Sequence, residues 1–143
     1  MVIKLLATQI PKYWEVIKFA SVKADLIADK DIQSYSIQLL FDLLNEKITC
    51  VLVLNDKREV IRILLMAFVF DKITKERKLS FKLGYSFVHA TPDQWLEETT
   101  QVYTFAKKEN CSSIIMATGN PVLKNLAKQY GFTEASINYV IKL

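Results

Sequence analysis

Apolar and polar positions change period several times along this chain, and each change marks an element. Val2 to Leu6 is a short apolar run that reads as an opening strand. From Thr8, a candidate cap, Tyr13, Ile17, Ala20, Ala24 and Ile27 recur at spacings of four, three, four and three, the period of an amphipathic helix. Pro11 falls in its first turn, where a missing N–H is tolerated. After Asp29-Lys30-Asp31, a second helix places Ile32, Ser36, Leu39 and Leu43 on one face, widened by Leu40 and Leu44. Strands follow at Ile48 to Leu54, at Val60 to Phe70 and from Lys78 to about His89, the first two joined by a turn at Asn55 to Glu59. The Val60 to Phe70 strand is apolar on both faces apart from Arg62. In the next, alternation puts Leu79, Phe81, Leu83, Tyr85 and Phe87 on one face, with Gly84 a candidate bulge. A third helix is predicted from about Pro92 to Glu109, with Trp95, Thr99, Val102 and Ala106 along one line and Leu96 and Tyr103 beside it.

The last third reads as strand, helix, strand. Ile114 to Ala117 is apolar without alternation, the pattern of a strand covered on both faces. Gly119 breaks it, Asn120 is a good N-cap and Pro121 suits the first helical position. Val122, Leu123, Leu126, Ala127 and Tyr130 share a face, and Gly131 stands where a left-handed C-terminal residue is expected. Ile137, Tyr139, Ile141 and Leu143 then alternate with Asn138, Val140 and Lys142, which predicts a closing strand.

The order β-α-α-β-β-β-α-β-α-β predicts an α/β (α+β) fold with a mixed central sheet. At 143 residues the chain is expected to be one domain, residues 1–143. Hydrophobic residues are 51% and charged residues 24%, enough for a full core and a polar exterior without disulfides. Cys50 and Cys111 lie within or beside apolar runs and read as reduced, buried thiols. The first residues lack a signal-peptide pattern, and Ile63 to Phe70 is far short of the ~20 residues that span a bilayer. A cytoplasmic location without membrane contact is the expectation. The net charge of +4 gathers partly in Asp71 to Lys78, where acids interrupt the bases, so a solvated turn is favoured over a nucleic-acid stripe.

A strand, a capped helix ending in Gly131-Phe132 and a closing strand, preceded by this element order, resemble the GNAT superfamily of N-acetyltransferases across essentially the whole chain. The resemblance implies acetyl-CoA held where the fourth strand meets the third helix, by a loop of pattern Gln/Arg-x-x-Gly-x-Gly/Ala. This chain has Val88-His89-Ala90-Thr91-Pro92-Asp93-Gln94 there, with no glycine between Gly84 and Gly119. Thr91, Pro92 and Gln94 predict a self-sufficient helix start of the capping-box type. Asp93, with Glu97 and Glu98 behind it, adds negative charge where a diphosphate would sit. The family's tyrosine acid, four residues before Gly-Phe, corresponds here to Ala127, while Asn120 matches the asparagine that often opens that helix.

His89, the only histidine, is the candidate base if an amine is acylated. Thr91, Asp93, Gln94 and Asn120 are the candidate cofactor contacts if acetyl-CoA binds; otherwise no cofactor is expected, and no metal-ligand cluster can be assembled. Tyr85 and Tyr130 read as packing residues. The segment from Thr8 to Lys18 is similar to small GNAT-like proteins of tailed bacteriophages with altered cofactor loops. That resemblance implies a protein that has lost acetyl-CoA catalysis and acts on a protein partner, as a virion-associated component located in the host cytoplasm or the virion. The alternative is a divergent acyl-CoA-dependent N-acyltransferase, and the third is weak nucleic-acid binding.

Overall fold

Residues 1–118, 121–136 and 139–143 are described by the computed structural model, without the side chains of Val122 and Leu123. The strands are β1 (Val2–Lys4), β2 (Thr49–Leu54), β3 (Val60–Phe70), β4 (Arg77–Ser86) and β5 (Ser113–Met116). The helices are α1 (Ile10–Ala24), α2 (Ile32–Leu44), α3 (Pro92–Lys108) and α4 (Pro121–Gln129). The strands form one sheet in the order β1-β2-β3-β4-β5. Neighbours are antiparallel except β4 and β5, which run parallel because α3 carries the chain back between them.

Local chemistry sets the element ends. Thr8 does not cap α1: it lies inside a 3-10 turn, Ala7–Gln9, and the Leu6 N–H instead donates to Gln9 Oε1 at 2.8 Å. Asn55 organises the β2–β3 turn by accepting from the N–H groups of Lys57 and Glu59. Asp71 does the same for the β3–β4 turn, accepting from Ile73 and Thr74. At the end of α4, Gly131 has φ +86°, its N–H donates to the Lys128 carbonyl, and the Phe132 N–H reaches back to the Ala127 carbonyl at 3.0 Å. This is the left-handed helix stop predicted from sequence.

The sheet buries apolar residues on both faces. Against one face, α1 and α2 bring Ile17, Ala20, Leu39 and Leu43 onto Cys50, Leu52, Ile63, Leu65 and Leu83. Against the other, α3 brings Val102, Phe105 and Ala106 onto Val51, Met66, Leu79 and Phe81. Leu79 and Leu83 therefore lie on opposite faces, contrary to the expected alternation. Leu65 pairs with Leu83 but Met66 pairs with Phe81, so Lys82 is an extra residue in β4. The bulge turns the strand over. It lies two residues before Gly84, whose missing Cβ makes room for the Phe81 ring: a Cβ there would sit 3.0 Å from Phe81 Cζ.

The end of the chain also differs from expectation. Ile137 and Asn138 lie outside the described residues, and residues 139–143 adopt no strand. Strand β5 is accordingly the last strand of the sheet among the described residues, and Ile115 is exposed instead of covered.

Candidate functional site

Strand β5 pairs with β4 only from Lys78 to Phe81. From the bulged Lys82 onward, β4 has no neighbour on that side among the described residues, so the sheet opens into a notch. The chain leaves β4 at Ser86 and enters α3 at Pro92, which places the connecting loop and the first turn of α3 at the open end of β4. A parallel pair that parts beside a helix N-terminus is a usual place for a ligand in α/β folds, since unpaired backbone groups and the helix dipole converge there.

The side chains at this helix start bond to one another. Thr91 is extended, at φ −71° and ψ 159°, and its Oγ1 accepts from the Gln94 N–H at 3.3 Å. The Gln94 Oε1 accepts from the Thr91 N–H at 2.9 Å, closing the predicted capping box. The Trp95 N–H donates to the Thr91 carbonyl, and Pro92 has no N–H to offer. Asp93 is the acidic residue of the first turn and is exposed.

Glu98 does not add free negative charge to this end, as the sequence reading expected. Its carboxylate takes both Nε and Nη2 of Arg62, the one charged residue of β3, while Arg62 Nη1 donates to Ser86 Oγ at 3.0 Å. Arg62 is 2% exposed and its guanidinium lies 5.2 Å from the Trp95 ring centre. The pair ties the first turns of α3 to β3 and to the end of β4. Ser86 Oγ in turn donates to the Val88 carbonyl, which fixes the start of the loop. The signal for this cluster in the sequence was a lone arginine in an apolar strand; its partner, 36 residues away, was not legible.

The other candidates are placed as follows. His89 is exposed in the loop, beyond the end of β4, and makes no hydrogen bond or ion pair among the described residues. Thr91, Asp93 and Gln94 come together at the start of α3, and Asn120 lies outside the described residues. Ala127 and Tyr130 are half-buried on and just after α4, with the Tyr130 carbonyl accepting from Tyr103 Oη at 2.8 Å. Burial pushes the Tyr103 phenol above its ordinary pKa. Tyr85 packs edge-on to Phe87 at 5.0 Å and to Phe19 at 6.2 Å, and Phe19 and Phe87 stack. This aromatic group joins α1 to the end of β4, and Phe19 and Phe87 keep part of their rings exposed. Among the described residues, no group of His, Cys, Asp and Glu could hold a metal ion, and no helix is long and apolar enough to cross a membrane.

Comparison with solved structures gives this arrangement a counterpart. A protein described as a probable acetyltransferase superposes with a TM-score of 0.74 at 13% identity, over 100% of this chain and 97% of its own. A GNAT family acetyltransferase of Staphylococcus aureus matches at 0.69 and 11%, over 100% and 98%. The chain has the GNAT fold. A GNAT-fold neighbour from Clostridium acetobutylicum, described as a predicted acetyltransferase and solved with acetyl-CoA, matches at 0.69 and 14% identity, over 99% of this chain and 95% of its own. No family model and no curated protein matches the sequence.

Proposed function

We propose that this protein uses the GNAT scaffold as a protein-binding module and no longer transfers acetyl groups, acting as a virion-associated component of a tailed bacteriophage. The observation that carries the reading is the closed capping box at the start of α3. The amides of Thr91, Gln94 and Trp95 already have acceptors within the chain, and Pro92 supplies none. Asp93 occupies the positive end of the helix with a carboxylate, a position worth about 0.3–1 kcal/mol to the helix and unfavourable to a second anion. With no glycine in the loop to let the backbone approach a pyrophosphate, the residues present do not fit the diphosphate of acetyl-CoA. The partly exposed rings of Phe19 and Phe87, held by Tyr85, supply a rigid aromatic surface of the kind that anchors protein partners.

The parting of β4 and β5 beyond Phe81 favours the alternative, an acyl-CoA-dependent N-acyltransferase with His89 as base, because it leaves the end of β4 without a paired neighbour on that side among the described residues. Thermal unfolding with and without acetyl-CoA separates the two. A binder saturated at 100 times its Kd gains about 2.7 kcal/mol, a shift of several degrees in a domain of this size. The expected result is no shift at millimolar acetyl-CoA; a shift of that size overturns the proposal in favour of the enzyme. Mass spectrometry of purified phage particles carrying the gene tests the virion role, which requires peptides of this chain in the particle.

A further inference from the structure

Helix α2 has two apolar faces, and the fold of one chain uses only one of them. Leu39 and Leu43 pack into the core against the sheet. Ile37, Phe41 and Leu44, spaced by four and three, form a stripe on the outer side and are 63%, 51% and 44% exposed. Asp42 is the one charged residue of the helix. A helix that is apolar nearly all round is normally enclosed, and this one lies on the surface of the chain. Alongside the stripe, α1 and α2 leave a groove of about 540 Å³, lined in part by Trp14, Lys18, Ile32, Ile37 and Leu40.

We infer that two copies of this chain associate through this surface, their α2 helices packed antiparallel about a two-fold axis. The stripe and the groove lie side by side, so the surface is complementary to itself: the axis sets the ridge of each copy against the groove of the other. The charges agree with a second copy as occupant. Neither the Lys18 ammonium nor the Glu46 carboxylate makes an ion pair or hydrogen bond among the described residues. Lys18 lines the groove together with Ser36, whereas Glu46 follows the C-terminal end of α2. Antiparallel packing that sets Ile37 of each copy against Leu44 of the partner subunit therefore brings Lys18 opposite Glu46 of the partner subunit. Symmetry forms this pair twice, once at each end of the apolar centre, as a polar rim. None of these residues belongs to the start of α3, so the contact is independent of whether acetyl-CoA binds.

The test is the solution mass of the full chain, by light scattering across a concentration series, for the wild type and a set of variants. Ile37→Glu places a charge in the apolar centre. Lys18→Glu and Glu46→Lys each set like charges opposite one another, and the double variant restores both pairs with their signs exchanged. Within one copy these two side chains are not paired, so the monomer loses no ion pair and the far-ultraviolet circular dichroism should not change. The expected result is a mass twice that of the chain for the wild type and equal to the chain for Ile37→Glu. Each single charge reversal should raise the dissociation constant of the dimer about tenfold, and the double variant should return it toward the wild-type value. A wild-type monomer at millimolar concentration overturns the inference, as does a dimer that survives Ile37→Glu. Single reversals without effect, or a double variant no tighter than the singles, overturn it equally, even where Ile37→Glu fails to fold.

Discussion

Arg62 carries a full charge at 2% exposure, and the Glu98 carboxylate and Ser86 hydroxyl account for its hydrogen bonds. Removing one member of such a pair strands the other, at a cost of about 3–5 kcal/mol, whereas replacing both with apolar residues of similar size is often close to neutral. Glu98→Ala is therefore expected to lose that much in urea denaturation, and Arg62→Met with Glu98→Leu to recover most of it. Cys50 gives a prediction in pH. Burial pushes its thiol from the ordinary 9.0 up to about 12. Between those values the unfolded chain releases a proton that the folded chain keeps, so the thiol's contribution is whole below pH 9.0, falls as pH rises and is gone above about 12. Tyr35, raised by burial and by its Asp25 partner, adds to the same decline at higher pH. Stability measured across this range should drop, and Cys50→Ala, although less stable throughout, should drop less steeply.

Helix α3 and strand β4 show what elements owe to local signals and what they do not. The Thr91-Pro92-Asp93-Gln94 start of α3 and the Gly131 stop of α4 were readable because caps are contacts over three to five residues. Thr91→Ala should cost about 1 kcal/mol. Gly131→Ala should cost about 1–2 kcal/mol through backbone strain alone, since a Cβ there meets nothing within 4 Å. Thermal unfolding of the two single variants checks both values. The bulge at Lys82 left no such trace. Leu79, Phe81, Leu83 and Tyr85 keep their alternation in the sequence, and only the mismatch of pairing with β3 moves the last two to the other face. Gly84 marked the neighbourhood because the ring that shares its space is Phe81.

At the scale of the molecule, apolar faces of the helices cover both sides of the sheet, and among the described residues Arg62 is the one charged side chain that is buried. The bases of the β3–β4 turn are interspersed with Asp71, which is engaged in the turn, and Glu76, which lies 3.8 Å from Lys78. Backbone N–H groups of Thr74 and Ile73 hold the Asp71 carboxyl below its ordinary pKa, so it stays ionised among the bases down to acid pH. Retention on a DNA column should accordingly be weak and lost at moderate salt; steep salt dependence of a tight complex would reverse that expectation. The order and type of the elements from β1 to α4 were fixed by the sequence alone, because period, caps and turn residues act within a few positions of the chain. Tertiary structure alone decided the pairing of Arg62 with Glu98, the reversal of β4 at Lys82, the opening between β4 and β5, and the exclusion of residues 139–143 from the sheet. Each of these depends on which distant residue arrives opposite, a matter of register and packing that no local pattern encodes.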